Sequence, residues 1–365
     1  LHRADLIPPG TRVLNQWRIG AALTGEIPLD PPIRSLFVYN SNPLVVAPDQ
    51  LRLKRGLARE DLFTVVSEHF LTDTARYADL VLPATTQAEQ HDLMFSWGHL
   101  YLTLNRPAIT PLGEAVPNAE LFRRLATTMG IEDPFFHRDD QQILRESVDW
   151  DHPSMQGITM EMLEAQGYAR LSLPSADTFA PHAEGGFPTP SGKVELKASM
   201  AAGGNFVLPT FRQGSNEHQD GTPVPALPTY RPPRESRSAS PELAARYPLA
   251  MMSPKSHSFL NSTYANHRRQ LSREGEQKVF MHASDADRRG IASNDLVRVH
   301  NDRGSFVGVA KIGEETMPGV IIAPMGHWMA SSRAEATPAA INPTAFADLG
   351  CAPSFSDNLV EVSRA

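Results

Sequence analysis

A single cysteine, Cys351, stands in 365 residues. It excludes an intrachain disulfide framework and points to a reducing compartment, so a cytoplasmic location is expected. No apolar run is long enough to span a membrane. Positive charge is not in excess: the formal net charge is −7, so a nucleic-acid surface is not expected. The chain has no G-x-S-x-G elbow, no G-x-x-x-x-G-K-[ST] phosphate loop and no G-x-G-x-x-G. Its 13 histidines show neither H-E-x-x-H nor close Cys/His spacing, so a protein-held zinc is not expected. No internal repeat and no signal peptide is visible; the first residue is Leu1, not Met.

The organising stretch runs from Ser35 to Pro83. Three short apolar runs, Leu36–Val38, Phe63–Val66 and Leu80–Leu82, alternate with two helix-like segments. Runs of this length bounded by turn residues suit strands buried on both faces. The first intervening helix has Pro48 near its start and Gly56 near its stop. The second has Thr72 or Asp73 as N-cap. The pattern β-α-β-α-β predicts a parallel sheet, whose ligands lie outside the carboxyl ends of the strands. Those ends carry Asn40-Ser41-Asn42-Pro43, Ser67-Glu68-His69 and Pro83-Ala84-Thr85-Thr86. Such uncharged donors and acceptors, with one carboxylate, suit a nucleotide base and its pyrophosphate. The same pattern also describes an ordinary α/β sheet with polar loop ends.

Around this core, Arg12 to Leu23 reads as a helix that Pro28, Pro31 and Pro32 follow. Gly98 reads as a turn, and Leu100, Leu102 and Leu104 alternate as in a half-buried strand. Asn118 opens a helix with Leu121, Phe122, Leu125 and Met129 on one face and Gly130 behind it. Thr159 to Gln166 is a short helix stopped by Gly167. Phe187 to Leu196 reads as a turn into a strand. Residues 213–246, rich in Pro, Ser and Arg, read as a linker over the surface. A second domain starts near Tyr247: Ser284 caps a short helix that Gly290 ends. Short strands with Gly-containing turns then follow from Leu296 to Ala323, the pattern of a small β-barrel.

His69, His91 and His99 cluster near the expected crevice, where each reads more simply as a hydrogen-bonded loop histidine. Cys351 has no flanking base or partner Cys and reads as a small packing residue. Ser253-Pro-Lys-Ser-His-Ser-Phe-Leu-Asn-Ser-Thr follows a strand over Leu249–Met252. Such a loop can present N–H groups and side-chain donors to an anionic or heteroaromatic ligand; it can equally be a Ser/Asn-rich connection.

Four motifs in order resemble one family. They are Phe37-Val-Tyr-Asn-Ser-Asn-Pro; Thr72-Asp-Thr-Ala-Arg-Tyr-Ala-Asp-Leu-Val-Leu-Pro; Gly186-Phe-Pro-Thr-Pro-Ser-Gly-Lys-Val-Glu-Leu; and the tail from His282 through Pro324-Met-Gly-His-Trp to Ala347–Asp357. The chain resembles the molybdenum or tungsten oxidoreductases that hold a bis-(molybdopterin guanine dinucleotide) cofactor. This is the DMSO reductase family, which includes formate dehydrogenases and nitrate reductases. The resemblance implies an α/β parallel-sheet dinucleotide-binding region over 1–212, a linker over 213–246 and a C-terminal double-psi β-barrel over 247–365. It implies that Asn40, Ser41 and Asn42 meet a guanosine end and that Ser67 and Glu68 contact the same nucleotide. Gln90 and Asn118 fall on further cofactor positions. Ser253, Lys255, Ser256, His257, Asn261 and Ser262 would lie along pterin and phosphate groups, with Lys255 as an anion partner. Trp328, Asn342, Ser356 and Asp357 match late barrel contacts. Cys351 sits where relatives have Gly, so it is not the family's metal ligand.

One Cys cannot hold a [4Fe-4S] cluster, and no catalytic or metal-ligating residue of the family is matched. The resemblance therefore implies the C-terminal half of a larger enzyme. The cluster and the metal ligand would lie in the N-terminal half, and the chain alone would not turn over. The intact enzyme would act on a small-molecule substrate, with an electron-transfer subunit as a possible partner. Two other readings stand beside this one: a non-catalytic relative serving as a subunit of a redox complex, and a free-standing dinucleotide-binding module.

Overall fold

The computed structural model describes residues 4–175, 177–204, 222–347 and 351–365. Twelve strands and ten α-helices follow along these residues. In the first part are α1 (Ile19–Leu23), β1 (Ser35–Tyr39), α2 (Pro43–Val46), α3 (Gln50–Leu57), β2 (Phe63–Glu68) and β3 (Leu80–Pro83). Next come β4 (Asp92–Ser96), β5 (His99–Asn105), α4 (Asn118–Thr128), α5 (Asp140–Glu146), α6 (Met160–Gln166), β6 (Tyr168–Arg170) and α7 (Ser199–Ala202). The last part holds α8 (Pro241–Arg246), β7 (Leu249–Met252), α9 (Arg268–Glu274), β8 (Lys278–His282), α10 (Ala283–Asp287), β9 (Leu296–Asn301), β10 (Gly304–Gly313), β11 (Val320–Ile322) and β12 (Leu359–Arg364).

Contacts divide the chain into two units. One holds Leu1–Thr11, Ser67–Phe70 and Val81–Val194; the other holds Arg12–Val66, Leu71–Leu80 and Glu195–Ala365. In the first, β4, β5 and β6 form an antiparallel sheet. Leu102 and Leu104 on β5 and Ala169 on β6 turn one face inward, where Leu144 of α5 and Leu163 of α6 close a core. α6 begins as its sequence dictates: Thr159 accepts the Met162 N–H, and Gly167 ends it at φ 85°.

The second unit is built around a closed six-stranded barrel in the order β10-β8-β11-β7-β12-β9. Alternation explains its interior: Val297 and Val299 on β9 and Phe306 and Ala310 on β10 point inward, with Met251, Val279, Met281 and Ile321 from the neighbours. Gly308 lets β10 approach β8, since a Cβ there would lie 2.9 Å from the Gln277 carbonyl oxygen. A smaller core joins Leu23, Leu44, Leu53, Leu57 and Leu62 with Met329. Strands β1, β2 and β3 make a three-stranded sheet in that order.

Several expectations are corrected. The segment after Thr72 is one 3-10 turn, Ala75–Tyr77, not a helix. Thr72 Oγ1 caps the Ala75 N–H, but the Asp73 and Thr74 side chains are committed to distant partners and Ala78 is already extended. The three core strands are not buried on both faces: Phe37, Tyr39, Phe63 and Leu80 are exposed, because only the β2 interior, Thr64–Ser67, is covered throughout. Of the expected apolar face of α4, Leu125 and Met129 are exposed and only Ala126 in that helix is buried. The Phe187 turn forms, but no strand follows it; Thr189 Oγ1 bonds back to the Lys193 carbonyl, and Val194 and Leu196 stay exposed. α10 is capped by the His282 side chain rather than by Ser284. Within the expected linker, residues 213–221 lie outside the described residues, and 222–240 form no α-helix.

Candidate cofactor site

The loop leaving β1 opens with Asn40 in a left-handed conformation, φ 53°. Asn40 is exposed and Ser41 half-buried. Asn42 is buried, and Pro43 occupies the first turn of α2, where its missing N–H costs little. The Thr74 hydroxyl donates to Asn42 Oδ1 at 2.8 Å and accepts the Leu44 N–H at 3.1 Å. Asn42 Nδ2 is buried with no hydrogen-bond partner among the described residues.

Two further loops leave neighbouring barrel strands. β7 and β11 run parallel, so residues 253–262 and 324–330 start side by side. Backbone bonds tie them: Met325 N–H to the Pro254 carbonyl at 2.9 Å and Ser256 N–H to the Met325 carbonyl at 3.3 Å. Trp328 Nε1–H donates to the Ser262 carbonyl at 2.9 Å. Gly326, at φ 122°, sits where a Cβ would come within 2.5 Å of the Asn261 carbonyl oxygen. Ser253 and Ser256 are buried, whereas Lys255, His257 and Asn261 are exposed. Asn342 is buried, its Oδ1 accepting from Asn358 Nδ2 at 3.1 Å with Ser253 Oγ at 3.5 Å. Its carbonyl accepts the Asp49 N–H at 3.2 Å. Ser356 is exposed and Asp357 half-buried; burial pushes the Asp357 carboxyl above its ordinary value, against the attraction of Arg234.

Ser67, Glu68, Gln90 and Asn118 belong to the first unit. Ser67 is buried, and the Glu68 carboxylate accepts the His69 N–H at 2.7 Å. Gln90 Oε1 accepts the Thr85 hydroxyl at 2.7 Å, and Asn118 is the first residue of α4. The second unit brings Ser253 to Asn342 and Ser262 to Trp328.

Three residues of this region were missed by sequence reasoning. Thr74 is one. His327 is another: it is buried, and its Nε2 faces the Gly275 carbonyl at 2.9 Å. A carbonyl only accepts, so Nε2 carries the proton. Burial lowers the pKa, and Nδ1 is left as a buried lone pair without a partner among the described residues. The third is Glu274. Burial opposes its ionisation, but hydrogen bonds from Ser256 and Ser258, with the attraction of Lys278 and His327, together hold the carboxyl below its ordinary value. The Gly-His-Trp run in the tail was the only signal for His327, and the Thr72-Asp-Thr motif the only one for Thr74; nothing local marked Glu274.

The set of groups is amides and hydroxyls, one flexible ammonium, the His257 and His327 imidazoles, the Trp328 indole and the Glu68 and Asp357 carboxylates. It fits an uncharged heteroaromatic joined to phosphates better than a bare metal ion. The unpartnered Asn42 amide would be satisfied by an acceptor seated at the exit of β1. Cys351 lies at φ 53°, a conformation that favours glycine, and its carbonyl accepts from Asn15.

The arrangement is one of polar loops at strand exits, on the closed barrel and on the β1–β3 sheet. The comparisons give it a class: the family model "Molybdopterin oxidoreductase" matches residues 19–128 and "Molydopterin dinucleotide binding domain" matches 249–359, together more than half of the chain. The chain belongs to the molybdopterin oxidoreductases of the DMSO reductase family. It is 35% identical over its whole length to a probable oxidoreductase of Bacillus subtilis, YoaE, covering 49% of that protein. It is 29% identical to dimethyl sulfoxide reductase DmsA of Escherichia coli, over 83% of this chain and 38% of that one. Acetylene hydratase of Syntrophotalea acetylenica is 28% identical over 87% of this chain and 40% of its own. The solved acetylene hydratase from Pelobacter acetylenicus shares the fold at TM-score 0.73 and 24% identity, with 96% of this chain and 46% of that one covered. The chain thus spans less than half the length of these relatives. The narrower likeness to formate dehydrogenases and nitrate reductases gives way to one with DMSO reductase-like proteins.

Proposed function

We propose that the chain is the part of a molybdenum or tungsten oxidoreductase that holds a bis-(molybdopterin guanine dinucleotide) cofactor. Asn40, Ser41 and Asn42, with Ser67 and Glu68, would bind a guanosine end. Gln90 and Asn118 would add further contacts. Ser253, Lys255, Ser256, His257, Asn261, Ser262, Trp328, Asn342, Ser356 and Asp357 would line pterin and phosphate groups. When bound, the cofactor supplies a metal centre for two-electron chemistry on a small molecule. This chain's residues bind and orient it. The metal-ligating residue, any [4Fe-4S] cluster and any electron-transfer subunit would come from outside these 365 residues.

The observation that carries this reading is the buried Asn42 amide with its unused N–H groups, at the exit of β1 within the matched segment. Burying such a group without a partner costs about 1–3 kcal/mol, which a ligand acceptor would offset. The parallel character of the sheet is supported by like ends meeting: Asp79 N–H to the Thr64 carbonyl at 2.8 Å and Ala84 N–H to the Glu68 carbonyl at 3.2 Å. The double-psi reading of the barrel is supported by its two parallel pairs, β10 with β8 and β11 with β7. A division at 212 and 246 keeps each family match within one part.

The test is chemical analysis of the full-length protein that carries this chain, after expression in a host that makes the dinucleotide cofactor. Pterin, GMP released by acid hydrolysis, and molybdenum or tungsten are expected in the purified protein. Their joint absence sinks the reading.

A further inference from the structure

We propose that Thr74 is a positioning residue that fixes which way the Asn42 amide faces, so that Asn42 meets the ligand only as a hydrogen-bond donor. The inference rests on the cofactor-binding reading above and concerns a residue of the turn before β3.

The hydrogen bonds around Asn42 leave one arrangement. The Leu44 backbone N–H can only donate, and it points at Thr74 Oγ1, 3.1 Å away. The Thr74 hydroxyl has one proton, which is therefore directed to the Asn42 side chain at 2.8 Å. The Thr74 backbone N–H also faces that same Asn42 atom, at 3.4 Å. Two donors converge on one atom, so that atom must be Oδ1. The amide nitrogen is turned to the opposite side. Asn42 is 5% exposed, Thr74 fully buried, and Asn42 Nδ2 has no partner among the described residues.

A buried asparagine whose direction was not fixed could present either a donor or an acceptor. With Oδ1 consumed, only N–H remains. The group it suits is an acceptor oxygen or ring nitrogen. Guanine offers both on one edge, and a pyrophosphate offers oxygens. A base edge presenting an amino group at that point is refused, since two donors would meet. The Thr-Asp-Thr turn thereby acts on the ligand through Asn42 without touching it.

The test is calorimetric titration of the protein, purified without cofactor, with GDP, guanosine and pyrophosphate. The variants are Thr74→Val, Thr74→Ser and Asn42→Asp, with melting recorded for each. Thr74→Val, nearly isosteric but without the hydroxyl, is expected to weaken GDP binding by about tenfold. Thr74→Ser, which keeps the hydroxyl, is expected to bind as the unaltered protein does. Asn42→Asp, which keeps the shape and replaces the donor by an acceptor, is expected to lose GDP binding even if Thr74→Val does not fold. A loss that appears with guanosine assigns the acceptor to the base; one that appears with pyrophosphate assigns it to the phosphates. If the unaltered protein binds GDP and either Thr74→Val or Asn42→Asp binds it equally well, the positioning role is overturned and the cofactor reading stands. If the unaltered protein binds none of the three, both fall.

Discussion

The Asp73 carboxylate accepts the backbone N–H of Met329 at 2.6 Å and, through its other oxygen, that of Ala330 at 3.1 Å. One buried side chain thereby joins the turn before β3 to the loop after β11, which carries His327 and Trp328. Removing it leaves two backbone donors without acceptors. Asp73→Ala is expected to cost about 2–4 kcal/mol in urea unfolding. A loss within error of zero would mean that water replaces the carboxylate.

The same residue gives a pH dependence. Burial raises the Asp73 pKa, outweighing the two backbone hydrogen bonds that favour ionisation. The folded value lies above the unfolded one, so the folded chain binds more protons between them. The contribution is complete below the unfolded value and is lost as pH rises through the folded one. The stability difference between the unaltered protein and Asp73→Asn should therefore be larger in mild acid than at neutral pH. Paired denaturation curves over that range check the sign; a difference that grows with pH contradicts it.

Phe306 is fully buried at the centre of the barrel. Truncation leaves a cavity among Val297, Val299 and their neighbours that β-strands bonded on both sides cannot close. Phe306→Ala is expected to destabilise by about 3–5 kcal/mol, read as a fall in urea midpoint at unchanged slope.

Gly326 answers to geometry rather than burial area. An alanine there must adopt φ 122° and place its Cβ 2.5 Å from the Asn261 carbonyl oxygen. The clash is with backbone, so the two loops must part. Gly326→Ala is expected to cost about 1–3 kcal/mol and to shift Trp328 fluorescence as its bond to Ser262 is disturbed. An unchanged emission spectrum would show that the loops absorb the methyl in place.

Arg303 forks onto Glu235 at 2.6 and 2.9 Å, and its remaining N–H groups reach the Ile341 carbonyl and Asn358 Oδ1. Both side chains are mostly covered, so losing one strands the other. Arg303→Met is expected to cost about 2–4 kcal/mol. The double variant with Glu235→Gln should cost less than the sum of the two singles. Additive losses would show that the pair is not coupled.

The sequence by itself determined the local elements whose signals are local. The short strands with Gly-containing turns from Leu296 to Ala323 became β9, β10 and β11, and Thr159 and Gly167 bounded α6. It also placed polar residues at the exits of β1 and β7, because glycine, proline and asparagine mark chain reversals through their own backbone preferences. It misjudged the Thr72 segment, whose propensity is helical. There Asp73 and Thr74 bond to Met329 and Asn42, partners remote along the chain, and Ala78 is already extended. It could not name Thr74, His327 or Glu274 for the same reason. Closure of six strands into a barrel, the crossing at Gly326 and the direction of the Asn42 amide are long-range events. Only the tertiary structure decided them, since each depends on which backbone group arrives opposite a side chain, not on that side chain's own identity.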